Sequence, residues 1–108
     1  MYSQKDFDLI KKIVLKKIEN TTFIYLFGSY ALSEANKESD IDIAILLEKQ
    51  IDWKERKNIL NYLYRETSKN GLEVDFVVKT ESSFNEEKLL PTLAQVIHKE
   101  GKILWKMH

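Results

Sequence analysis

Two aspartates at alternate positions, Asp40 and Asp42, lie in the segment Ser39-Asp40-Ile41-Asp42-Ile43-Ala44-Ile45, shortly after the apolar run and turn Leu26-Phe27-Gly28-Ser29-Tyr30. Successive side chains of an extended strand point to opposite faces. Asp40 and Asp42 therefore project together, while Ile41, Ile43 and Ile45 project the other way. Two carboxylates side by side raise each other's pKa unless a positive charge lies between them. Their hard oxygen ligands suit magnesium. Gly28 and Ser29, in a turn at the mouth of a helix, offer backbone N–H groups to a phosphate. A third carboxylate, Asp75, sits in the apolar run Leu72-Glu73-Val74-Asp75-Phe76-Val77-Val78. If the two strands are neighbours, Asp40, Asp42 and Asp75 converge on a cage for one or two divalent ions. Such pairs of ions clamp the attacking and leaving oxygens of a displacement. Asp40 and Asp42 would anchor both ions. Asp75 would hold the ion on the nucleophile side and orient or deprotonate an incoming hydroxyl. A lone Asp-x-Asp is commonly just the polar face of a strand; the Gly-Ser turn before it and the third aspartate after it set this one apart.

The elements that must position these groups can be read from periodicity. Ser3 and Asp6 start a helix in the manner of a capping box, and Phe7, Ile10, Val14 and Ile18 recur at helical spacing. Lys11, Lys12, Lys16 and Lys17 fall on the rest of that cylinder as a solvated face, with no aromatic residues interleaved as a nucleic-acid surface would have. Asn20-Thr21-Thr22 breaks the helix, and residues 23–27 suit a strand buried on both faces. A short helix over residues 30–35, a polar loop over 36–39 and a strand over 40–47 are expected next. Asp52 is a suitable N-cap for a longer helix whose apolar face takes in Trp53, Ile59, Leu60, Leu63 and Tyr64, and Asn70-Gly71 stops it. In the strand over residues 72–78, Asp75 lies among apolar neighbours, where an unpaired buried carboxylate would be costly and needs a partner. Ser82 or Ser83 caps a helix through Leu90, Pro91 begins another through Glu100, and Gly101 ends it. Lys102-Ile103-Leu104-Trp105-Lys106 reads as a final edge strand, with Ile103 and Trp105 on one face for core packing or a homodimer contact. His98, on the penultimate element, reads as a surface or interface residue. The pattern implies an α/β (α+β) fold: a mixed central sheet of about four strands flanked by helices, in a single domain over residues 1–108.

Composition narrows the chemistry. Lysine plus arginine and aspartate plus glutamate number 17 each, so no basic excess marks a protein that grips nucleic acid along its backbone. A nucleotide ligand remains compatible, its charge met locally by metal. There is no cysteine, which removes disulfides, thiolate catalysis and cysteine-ligated zinc. The first residues lack the apolar region of a signal peptide, and no run is long and apolar enough to span a bilayer, so a cytoplasmic protein without a membrane partner is expected.

Gly28-Ser29, Ser39-Asp40-Ile41-Asp42 and Val74-Asp75 together resemble the signature of the DNA polymerase β-like nucleotidyltransferase superfamily. With its brevity, the chain is similar over nearly its whole length to the minimal nucleotidyltransferases. That resemblance implies transfer of a nucleoside monophosphate from an NTP to a hydroxyl with release of pyrophosphate. It makes Asp40, Asp42 and Asp75 the Mg2+ ligands, and gives the triphosphate to Ser29 and the Gly28 backbone. It further implies ATP as donor and, as partner and acceptor, a helical HEPN-type toxin adenylylated on tyrosine, with this chain as antitoxin. The chain departs from the family pattern at Ala31-Leu32-Ser33, where relatives show Ala-Arg-Gly, so a cation near the nucleotide is missing; Lys37 is the nearest replacement in the sequence. The departure opens an alternative, an antitoxin that acts only by masking its partner. A small-molecule acceptor, as in antibiotic nucleotidyltransferases, is the third reading.

Overall fold

A computed structural model describes residues 1–107. Its helix α1 (Gln4–Lys17) begins at Ser3, whose N–H donates to the Asp6 carboxylate at 2.9 Å, the acidic half of a capping box. Ile10, Ile13 and Val14 form its buried face. Strand β1 (Thr21–Phe27) starts two residues earlier than the apolar run suggests, because the two threonines are satisfied inside the fold. Thr21 Oγ1 donates to the Ile18 carbonyl at 2.9 Å, and Thr22 Oγ1 to the Leu46 carbonyl at 3.2 Å. Buried hydroxyls with partners cost little.

Strand β2 (Ile41–Leu47) is followed by α2 (Trp53–Lys69) and then by β3 (Val74–Thr80). The Asp52 side chain caps α2 by accepting from Glu55 N at 2.8 Å. Gly71, at φ +72°, takes the left-handed position after that helix. Helices α3 (Glu81–Glu87) and α4 (Leu93–Glu100) and strand β4 (Lys102–Lys106) complete the chain. The sheet order is β3-β2-β1-β4. β1 is antiparallel to both β2 and β4, and β2 and β3 are parallel, joined by the α2 crossover. α1 and α2 pack on one face, over Ile24, Ile43, Ile45, Val74 and Phe76. α3 and α4 pack on the other, with Phe84, Ala94 and Ile97 against Tyr25, Ala44 and Leu46. Helices thus cover both faces of the mixed four-stranded sheet.

Several local expectations are corrected. Residues 30–35 form no helix: a single 3-10 turn (Gly28–Tyr30) is followed by turns, with Ser33 at φ +60°. That left-handed residue ends any helical run. Thr80, not Ser82 or Ser83, caps α3, accepting from Ser83 N at 3.1 Å, and the helix ends at Glu87 rather than Leu90. Pro91 lies before the helix it was expected to begin, because the Thr92 hydroxyl accepts from Gln95 N and takes the N-cap itself. Trp53 is 70% exposed, since the first turn of α2 overhangs the core. Ile103 and Trp105 do not share a face. A bulge lets Tyr25 pair with Ile103 and the preceding Ile24 with Trp105, so Trp105 packs toward the α1 side while Ile103 is 52% exposed.

Ser33 stands in the backbone conformation that the Gly of the family pattern adopts without strain. A side chain there costs about 1 kcal/mol. Ser33→Gly is expected to raise the unfolding free energy by about that amount in urea titration; an unchanged or lower midpoint would show that the Ser33 side chain compensates its own strain.

Candidate functional site

The parallel register pairs Asp42 with Asp75 across β2 and β3, and antiparallel pairing puts Phe27 opposite Asp42 on the other side. Alternation fixes the face. Asp42 leads to Ala44 and Leu46, and Asp75 to Val77, all on the side covered by α3 and α4. Those helices stop short of the strand starts, so Asp42 is half-buried and Asp75 exposed. Asp75 accordingly needs no protein partner, contrary to the expectation of a buried carboxylate. Asp40 stands exposed just before β2. Its position is set by the Ile41 N–H, which donates to the Glu73 carbonyl at 2.9 Å. The loop ahead of it closes on itself: Asn36 N donates to Ser39 Oγ at 2.9 Å, and Glu38 N to Asn36 Oδ1 at 2.8 Å.

Burial and the neighbouring aspartates act together on Asp42. The Asp42 carboxyl is held above the usual carboxylate range, first by burial and then by the neighbouring charges of Asp75 and Asp40. Among the described residues no three acidic or histidine side chains are gathered tightly enough to form a finished metal cage. Like charges with nothing between them have no reason to converge. The donor set nonetheless fits a hard divalent cation: carboxylates on adjacent strand positions of one face, one of them with its proton affinity raised for want of a counter-charge.

Gly28 closes the other side. Its φ is +71°, and a Cβ added there would lie 2.2 Å from Asp42 Oδ2, so only glycine lets the turn approach this carboxylate. The half-buried Ser29 follows. The expected helix mouth is only a 3-10 turn, whose leading amides find no partner within the turn. Gly28 O accepts from Ala31 N and Leu32 N, and Ser29 O from Glu34 N, which holds the turn in shape. A cavity of about 250 Å³ opens beside the carboxylates, between Asp40, Asp75, Glu73 and, from α2, Tyr64 and Ser68. A larger one of about 390 Å³ lies at the far ends of β2 and β3, by Leu47 and Thr80, away from this chemistry.

Tyr2 carries no assignment from the sequence, and Tyr64 is read there only as part of the apolar face of α2. Tyr64 Oη accepts from Phe76 N at 3.1 Å, satisfying a donor on the free edge of β3. Its place on the apolar stripe of α2 gave only a packing signal. Tyr2 Oη accepts from Glu73 N at 3.1 Å. No periodicity reveals that contact.

Paired strand carboxylates on a mixed sheet, with a glycine turn pressed against one of them, make a candidate phosphate- and metal-handling site of the nucleotidyltransferase type. Comparison with known proteins gives the same class. The family model described as Polymerase beta, Nucleotidyltransferase matches residues 8–107, and the chain belongs to this family. A Methanocaldococcus jannaschii protein, provisionally named a protein adenylyltransferase, is 30% identical over 82 residues, 76% of each chain. Among solved structures, a toxin–antitoxin with AMP-PNP superposes with a TM-score of 0.68 at 28% identity, over 94% of this chain and 73% of that one. A tri-AMPylated Shewanella oneidensis HEPN toxin in complex with an MNT antitoxin gives a TM-score of 0.65 at 30% identity, over 96% of this chain and 72% of the other.

The raised pKa of Asp42 carries a sign. In the unfolded chain the carboxyl titrates near 3.8. The folded form keeps its proton to higher pH, so this contribution to stability is present below that value and lost as pH rises through the folded pKa. Asp42→Asn should therefore melt a few degrees higher than the wild type at neutral pH without divalent metal. That gap should close as pH falls below about 4. Thermal melts across this range would give parallel curves if neither burial nor the neighbouring charges held the Asp42 proton.

Proposed function

We propose that this chain transfers AMP from ATP, with Mg2+, to a hydroxyl on a partner protein, a tyrosine of a HEPN-type toxin, and so serves as the antitoxin of that pair. The observation that carries the reading is the pairing of Asp42 with Asp75 beside the Cβ-less wall of Gly28. The solved relatives bear on donor and acceptor: one is a toxin–antitoxin with AMP-PNP, another an MNT antitoxin with a tri-AMPylated HEPN toxin.

In this reaction the acceptor oxygen bonds to the α-phosphorus, the bond to the oxygen bridging the β-phosphate breaks, and pyrophosphate leaves. Asp75 is exposed and reachable from a bound partner, and takes the hydroxyl proton. Asp40, Asp42 and Asp75 would hold two Mg2+ ions, which when bound neutralise the triphosphate and the charge that develops on its oxygens. Gly28 and Ser29 orient the triphosphate from the opposite side, Gly28 by leaving room at Asp42. Positioning of this kind supplies much of the barrier reduction in phosphoryl-type transfer.

Asp42→Asn and Asp75→Asn should each lower transfer of labelled AMP to the purified partner by about a hundred- to a thousandfold while leaving the circular dichroism spectrum unchanged. Transfer persisting in both variants would sink the reading.

One observation favours the masking alternative. Leu32, 41% exposed, stands where the family pattern has arginine, and no lysine or arginine lines the cavity beside Asp40 and Asp75. If the enzyme reading holds, Leu32→Arg should tighten Mg-ATP binding several-fold in calorimetric titration. If the protein only masks its partner, Asp42→Asn should protect cells from the toxin as well as the wild type does.

A further inference from the structure

The residue just ahead of α1 reaches both walls of the site. Tyr2 N donates to Tyr30 Oη at 3.2 Å, and the two rings lie 5.9 Å apart. Tyr30 closes the 3-10 turn that carries Gly28 and Ser29, and its ring also meets Phe7 of α1 edge-on at 5.7 Å. On the other side, Tyr2 Oη accepts from Glu73 N at 3.1 Å and donates to Gly71 O at 3.4 Å. Glu73 is the residue whose carbonyl receives Ile41 N, between Asp40 and Asp42, and it stands two positions before Asp75. One half-buried tyrosine thus bonds to the glycine turn and to the entry of the strand bearing the third carboxylate.

The placement matters because β2 lies between those walls, and Tyr2 adds a connection that does not run through it. β3 is an edge strand, and at its start the Glu73 N–H has no strand partner on the outer side. Tyr2 supplies the acceptor. Its own position is anchored from α1, whose first turn is fixed by the bond from Ser3 N to Asp6. Neither Tyr2 nor Tyr30 approaches the reacting groups as a base or metal ligand would.

We infer that Tyr2 is a positioning residue: a latch that holds the Gly28–Tyr30 turn and the strand carrying Asp75 at a fixed separation, so that phosphate ligands and the proton acceptor meet one substrate geometry. The inference rests on the proposed transfer reaction for its catalytic consequence, and on geometry alone for the latch. A misplacement of catalytic groups by a fraction of an ångström lowers the rate without weakening ground-state binding.

The latch is tested by hydrogen exchange. Tyr2→Phe keeps the ring and the N–H but loses the hydroxyl, and is expected to speed amide exchange in residues 73–76 about tenfold, with α3 and α4 unchanged. Tyr2→Ala should extend the loosening to residues 28–32. Exchange in residues 73–76 at the wild-type rate in both variants would overturn the latch. Transfer is then measured with Mg-ATP and the partner: kcat for Tyr2→Phe should fall about tenfold with KM for ATP held within about twofold. Thr92→Ala, which uncaps α4, is the control for general destabilisation and should keep its kcat at a temperature where both variants are folded. Accelerated exchange with an unchanged kcat would overturn the positioning role. Absence of transfer in the wild type would instead count against the reaction itself, and exchange would still decide the latch.

Discussion

The placing of Asp42 beside Asp75 is the constraint around which the rest of the fold is arranged, because it is unfavourable by itself. Neighbouring strands lie about 4.8 Å apart, and like charges directly opposite each other on one face repel. The opposite face of the same strands overrides this. Ile41, Ile43 and Ile45 on β2 and Val74, Phe76 and Val78 on β3 are all buried under α1 and α2. Each such side chain contributes about 1.5–3 kcal/mol. A slip of one residue would bring the apolar set out into solvent. The hydrophobic side therefore dictates the register, and the register forces the carboxylates together. The backbone pairing of Asp42 with Asp75 is thus fixed by the core, while closing the carboxylates into a tight cluster is left to a positive charge between them.

Gly28 extends the same logic to the backbone. Its φ and its contact with Asp42 both exclude a side chain, and Ser33, a few residues on, repeats the left-handed conformation without the glycine. The turn between β1 and β2 is thus bracketed by two residues in conformations that end helices. This is why residues 30–35 read as helical from composition and yet fold as turns. Leu32, caught between them, is directed outward rather than into the core.

What could be read from the sequence follows from which forces were local. The alternating faces of β2 and β3 were legible because strand alternation is a property of a few consecutive residues, although β3 runs over Val74–Thr80 rather than residues 72–78 and Asp40 stands ahead of β2; Asp52 and Asn70-Gly71 marked α2 by cap chemistry. The resemblance carried by Gly28-Ser29 and the aspartates added the class of chemistry. The exposure of Asp75 was not legible, since it depends on where α3 and α4 stop. Nor was the separation of Ile103 from Trp105, which is produced by a bulge that only pairing with β1 creates. Thr80 and Thr92 displaced the expected caps because several hydroxyls compete at each helix start, and the winner is chosen by the direction of the incoming strand or loop. The contacts of Tyr2 with Tyr30 and Glu73 span 28 and 71 residues and have no sequence periodicity at all.

The distribution of charge gives the last step. The whole chain is neutral; of its exposed lysines, those at positions 12, 16 and 17 belong to α1, on the far side of the sheet from Asp42 and Asp75, while Lys99 on α4 and Lys102 on β4 are exposed as well. The cavity lined by Asp40, Glu73 and Asp75 has no cationic side chain in its wall, and Asp42 is not part of that lining. A triphosphate approaching this face meets repulsion of the same sign, and at the roughly 8 Å screening length of physiological salt the lysines beyond the sheet offset little of it. In the proposed reaction, divalent metal would bridge ligand and protein at these carboxylates. A family member that had kept its arginine could share that task between metal and side chain. With Leu32 in that place, the proposed reaction leaves the task to the aspartates and the ions they would hold.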